Sequence, residues 1–91
     1  MKIEWLPEAL DNLTHEMDYI SQDNPHAALQ ILSRIKQAVK MLENFPNAGR
    51  PTNKNGYREL VIKKSSYILL YAVSPSSISI IRLFHTSRKI V

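Results

Sequence analysis

The chain has 91 residues, no cysteine, twelve lysines and arginines against eight aspartates and glutamates, and a formal net charge of +4. That length predicts one domain, residues 1–91, with one core, and the missing cysteines exclude disulfide staples and thiolate metal sites, so packing alone must hold the fold. No apolar run approaches the ~20 residues that span a bilayer, and the acids within the opening MKIEWLPEALDNL do not make a signal peptide, which predicts a soluble, cytoplasmic chain.

Residues 2–6, Lys-Ile-Glu-Trp-Leu, alternate polar and apolar and predict a short strand. Pro7 suits the first turn of a helix, where a missing N–H costs nothing, and Glu8 and Asp11 favour the same positive end. Leu10, Leu13, Met17 and Ile20 then recur three or four apart, predicting a helix over about 7–22. The break is Ser21-Gln22-Asp23-Asn24-Pro25, in which Asn24 can cap a second helix with Pro25 at its first position. The stripe of that helix is Ala28, Leu32, Ile35, Val39 and Leu42, widened by Ile31 and Ala38, and Pro46 ends it near Phe45. Two helices joined by a short turn form a hairpin whose merged apolar stripe needs a further layer.

NAGRPTNKNG, residues 47–56, holds both glycines and shows no periodicity, which predicts a loop carrying Arg50 and Lys54. Three strand-like runs follow: Tyr57–Lys63, Tyr67–Val73 and Ile78–Phe84. The middle run is apolar on both faces, as a central strand is, and the short connectors predict an antiparallel meander. The order is βααβββ, an α+β fold with a helical hairpin packed on one face of an antiparallel sheet and the other face partly open.

Charge is unevenly spread along this plan. Residues 1–49 carry four basic side chains against seven acids, a net of −3, whereas residues 50–91 carry eight against Glu59 alone, a net of +7. A polyanionic partner, nucleic acid or an acidic protein, suits such a half. On the last strand, strict alternation groups Ile78, Ile80, Arg82 and Phe84 on one face and Ser79, Ile81, Leu83 and His85 on the other. Arg82 thus breaks an apolar row, so either that end is exposed or Arg82 reaches an acid such as Glu59 or a residue of another chain.

An imidazole at a strand end suits acid–base work, but a single histidine such as His85 is there more often a hydrogen-bonded structural residue than a general base. His15 and His26 lie on the helices, far in sequence from it, and no carboxylate pair is near, so neither a metal site nor paired-carboxylate hydrolysis is expected. The two glycines of the loop do not make a P-loop, although Arg50 and Lys54 can touch phosphate. Tyr57, Tyr67 and Tyr71 interleave with Arg58, Lys63 and Lys64, as in stacking clamps for nucleic acid and also as in ordinary strands.

The succession of a helical hairpin, GRP, YRELVI, YILLYAV and ISIIRLFHTSRK, including Arg58-Glu59-Leu60, Tyr67…Tyr71 and His85-x-x-Arg88, resembles the ParE branch of the RelE/ParE toxin superfamily over essentially the whole chain. The resemblance implies the βααβββ fold, no cofactor, and a toxin neutralised by a cognate antitoxin that is acidic in its toxin-binding segment, with operator DNA reached only through that antitoxin. It implies one of two activities. ParE-like members inhibit DNA gyrase and are not nucleases. RelE-like members cut mRNA on the ribosome, and here His85 would be the acid or base while Arg58, Arg82 and Arg88 hold phosphate. Ile68 stands where RelE-like chains commonly place an arginine, and the sequence stops at Val91 without their tyrosine-bearing extension, so the ParE-like activity is the expectation. Its binding residues would be Arg50, Lys54, Arg58, Tyr71, Arg82, His85, Arg88 and Lys89. A degenerate domain that only binds an antitoxin is the third reading.

Overall fold

The computed structural model describes residues 1–88, of Arg88 the backbone alone. In chain order the elements are β1 (Lys2–Trp5), α1 (Pro7–Asp23), α2 (Pro25–Asn44), β2 (Arg50–Pro51), β3 (Arg58–Val61), β4 (Tyr67–Val73), β5 (Ser77–His85) and a 3-10 turn (Thr86–Arg88). The strands form one sheet in the order β1-β5-β4-β3-β2. β3, β4 and β5 make the expected antiparallel meander, but β1 runs parallel to β5, with Ile3 beside Ile78 and Trp5 beside Ile80, so the sheet is mixed. The predicted loop also contributes β2, whose two residues pair antiparallel with Arg58 and Glu59.

The two helices cover one face of the sheet. Pro7 opens α1 and Pro25 opens α2, each in the first turn. Asn24 ends one helix and starts the other: its N–H donates to the Ile20 carbonyl, and its Oδ1 accepts from Ala27 N–H at 3.1 Å, satisfying a donor the first turn would leave orphaned. Ile35, Val39 and Leu42 of α2 join Tyr67, Leu69, Tyr71, Ile78, Ile80 and Leu83 in a single core cluster. On α1 the buried contact is Ala9, fully enclosed, while Leu10 of the expected stripe is 48% exposed. Leu13, Met17 and Ile20 of that stripe do pack against the core, so only its first position shifts, to a small residue that lets the helix lie close to the sheet. The same helix buries Glu16, whose carboxylate accepts a 2.8 Å hydrogen bond from the Tyr67 hydroxyl.

One irregularity decides where the last strand's side chains go. Leu70 is paired with Arg82 but Tyr71 with Ile80, so Ile81 is an extra residue, a β-bulge. A bulge slips the two-residue period by one and exchanges the faces. Ile78 and Ile80 point inward before it, and Leu83 points inward after it. Arg82 and Phe84 therefore stand on the outer face, and the expected row of Ile78, Ile80, Arg82 and Phe84 does not exist. Asn12 of α1 stabilises the slip, its Oδ1 accepting from the Leu83 N–H at 3.1 Å. Among the described residues no helix covers the outer face, and no helix is long and apolar enough to cross a membrane.

Candidate functional site

The outer face carries a groove of about 540 Å³ between the 50–55 loop and the β4–β5 ribbon. Leu70, Phe84 and Tyr57 give it apolar and aromatic surface, and Arg50, Lys54 and Arg82 give it positive charge. The loop is held in shape locally. Thr52 Oγ1 accepts from the Lys54 N–H, Tyr57 N–H donates to the Lys54 carbonyl, and Thr52 N–H donates to the Tyr57 carbonyl. Asn55 and Gly56 make the turn at positive φ, 54° and 69°, a backbone region that asparagine and glycine enter most readily.

The cations of the groove are only lightly engaged. Arg50 places Nη2 and Nε at 3.1 and 3.3 Å from one Glu59 oxygen, yet its side chain stays 65% exposed. The acid that Arg82 approaches is Glu8, at 4.0 Å, and its guanidinium lies 5.4 Å from the Phe84 ring centre. Exposed pairs of this kind are worth only ~0–1 kcal/mol, so both arginines can exchange partners with an incoming anionic group.

Arg58 and Tyr71 do not belong to this groove. They pair across β3 and β4 on the helix-facing side. Arg58 Nη1 donates to the carbonyls of Gly49 at 2.7 Å and Asn47 at 3.3 Å. Tyr71 is fully buried; its hydroxyl accepts from Gly49 N–H and donates to the Pro46 carbonyl, each at 2.8 Å. Both side chains clamp the chain where it leaves α2, which places Tyr71 inside the fold rather than on a surface.

His85 is the last residue of the inward row, paired with Tyr67, whose ring it meets edge-on at 5.2 Å between centres. Its Nδ1 accepts from the Ser87 backbone N–H at 3.2 Å and lies 2.7 Å from Ser87 Oγ. A backbone N–H can only donate, so Nδ1 carries a lone pair and the neutral ring has its proton on Nε2. This imidazole lines a separate concavity with Tyr19, Ile31, Ser66 and Tyr67. Lys89 and the side chain of Arg88 lie outside the described residues.

The fold thus unites Arg50, Lys54 and Arg82, and separates them from Arg58 and from His85. Cutting a phosphodiester requires an acid or base and cationic donors within hydrogen-bond reach of one phosphate. Arg82 on the outer face and Arg58 and His85 on the inner row do not converge so. Among the described residues no group of three or more His, Cys, Asp or Glu can hold a metal. Sequence reasoning did not single out Phe84 as part of the groove, since its face depends on the bulge. The signal available was Arg82 itself, a cation that strict alternation would have buried.

The model of the family described as ParE toxin of type II toxin-antitoxin system, parDE, matches residues 3–90. The chain is 34% identical over 88 residues to the Y4kP protein of Sinorhizobium fredii, covering 97% of this chain and 91% of that one. It is 34% identical over 87 residues to toxin RelE2 of Caulobacter vibrioides, covering 96% and 97%. Among solved structures, the chromosomal ParDE TA system from P. aeruginosa matches with a TM-score of 0.81 at 28% identity, covering 93% of this chain and 95% of that one.

Proposed function

The chain belongs to the ParE toxin family of type II toxin–antitoxin systems, and from that membership we propose that it arrests growth by binding DNA gyrase and not by cutting RNA. The observation that carries this reading is the separation of Arg58 from Arg82 and His85: Arg58 is engaged with two backbone carbonyls on the helix side, while Arg82 stands over Phe84 on the outer face. What the outer groove offers is a docking surface, three loosely held cations beside half-buried aromatic rings, suited to an acidic protein surface. Ile68, buried on the same face, supplies no cation to its floor. The likeness to the ParDE structure supports the same choice.

Expression of the chain without its antitoxin tests it. Growth arrest with a DNA-damage response and intact transcripts is expected, and Arg82→Glu should relieve the arrest. Transcripts cut within codons, with no damage response, would overturn it. The second reading, a ribosome-dependent endoribonuclease with His85 as acid or base, is favoured by the likeness to a protein named RelE2 and by an imidazole of defined tautomer at a concave surface. Under it, His85→Ala would abolish both arrest and cleavage.

A further inference from the structure

Among the described residues the sheet ends in two edge strands, and they are built differently. β2, at one edge, is two residues long, Arg50 and Pro51. A cation and a residue without an N–H both discourage an added strand. β1, at the other edge, is Lys-Ile-Glu-Trp, without proline and with one charge of each sign.

The backbone of β1 is half used. Lys2 N–H donates to the Ser76 carbonyl at 3.2 Å, and Leu6 N–H donates to the Ile80 carbonyl at 3.0 Å. Along a strand, successive residues turn their polar groups to opposite sides. Residues 2, 4 and 6 therefore face β5, and the N–H and C=O of Ile3 and Trp5 point away from the sheet, with no backbone partner among the described residues. The side chains alternate as well. Ile3 and Trp5 are half-buried and pack against the core on the helix side. Lys2 and Glu4 stand exposed on the outer face, and neither is in an ion pair among the described residues.

A strand that carried only acids would meet Glu4 with like charge, and one that carried only bases would meet Lys2 so. A second copy of β1 matches both. Laid antiparallel and centred on Ile3, it lets the two Ile3 residues exchange both N–H···O bonds. Lys2 then falls opposite Glu4 of the second copy, and Glu4 opposite its Lys2, in the close non-hydrogen-bonded positions where opposite charges attract. On the helix side Trp5 falls opposite Met1, which is 44% exposed.

We propose that β1 is a self-association edge: two copies of this chain join β1 to β1 in antiparallel order and make one continuous sheet out of two five-stranded ones. Facing copies of Ile3 point to the same side, so the two-fold axis stands normal to the sheet. Both helix layers then lie on one side, and both outer grooves, with Arg50, Lys54 and Arg82, lie on the other. Edges of four residues bury less than a standard interface, so the pair is reversible, with a dissociation constant on the order of 10–100 μM.

Sedimentation equilibrium of the purified chain over a concentration series, with amide hydrogen exchange at its two ends, tests this. A monomer–dimer equilibrium is expected. The Ile3 and Trp5 amides should exchange about tenfold more slowly at the high end, as edge amides do once they join a ladder, while amides elsewhere in the sheet stay unchanged. Lys2→Glu sets like charges opposite each other in both symmetric pairs and should weaken the dimer about tenfold. Adding Glu4→Lys to it restores the pattern in reverse and should recover the native association. Lys2 and Glu4 are exposed, so both variants should melt with the native chain. A chain that stays monomeric throughout, a dimer indifferent to Lys2→Glu, or a folded double variant as weak as the single one would each overturn the proposal. Slowed exchange confined to amides outside β1 would place the association elsewhere and overturn it too, and that reading needs no variant to fold.

Discussion

Replacing Tyr71 by phenylalanine removes one oxygen atom from the interior and unfastens the junction between α2 and the sheet. In the native chain that oxygen accepts from the Gly49 N–H and donates to the Pro46 carbonyl, at 2.8 Å in each case. Gly49 is buried, so its N–H would be left without a partner away from water, at a cost of ~1–3 kcal/mol. The lost bond to Pro46 adds about 1 kcal/mol, and relief of the hydroxyl's own desolvation offsets part of the sum, leaving about 2–3 kcal/mol. A domain of this size holds roughly 5–10 kcal/mol in all, so the melting temperature should fall by about 10–20 °C. Urea titration followed by circular dichroism should show the midpoint falling by about 1.5–2 M with an unchanged slope. A loss under about 0.5 kcal/mol would refute the assignment of Tyr71 as the clasp of this junction. In that case Gly49 would not depend on the phenol, and a surface role for the ring would return.

Gly49→Ala attacks the same junction from the other side. An added Cβ would lie 2.7 Å from the Glu59 carbonyl oxygen and 2.8 Å from two Tyr71 atoms, and a loss of about 3 kcal/mol in a urea titration is expected from such overpacking. Asn12→Ala leaves the Leu83 N–H at the bulge unpaired; about 1 kcal/mol should be lost, with the Leu83 amide exchanging faster than its neighbours. Arg50→Ala breaks the pair with Glu59, but Arg50 is so exposed that thermal stability should change by less than ~1 kcal/mol. Arg82→Glu should likewise leave the melt nearly unchanged while it reverses the charge of the outer groove and relieves growth arrest. A large fall in stability for either arginine would contradict the loosely held state ascribed to them.

The helices were readable because their signals are local: proline at the first turn, Asn24 at the cap, and apolar residues at helical spacing. The meander was readable from two-residue alternation and short connectors. Long-range pairing was not. Nothing in Lys2–Trp5 says that its neighbour is β5 and that the pair is parallel, because the partner lies 75 residues on. The bulge at Ile81 was likewise hidden, since its support is Asn12 on a distant helix. That one inserted residue decided the site: it turns Arg82 and Phe84 outward, away from the face that Ile78 and Ile80 share with the core. Tyr71 looked like a stacking surface because its burial depends on Pro46 and Gly49, loop residues with no period to announce where they lie.

The account is tested most directly by presenting one preparation of the purified chain to two targets: DNA gyrase relaxing and supercoiling a plasmid, and translating ribosomes carrying a labelled mRNA. Loss of supercoiling with the mRNA intact, and restoration of supercoiling when the Arg82→Glu variant replaces the native chain, is the predicted result. Cleavage of the mRNA that disappears with His85→Ala, while gyrase works unimpeded, would contradict it.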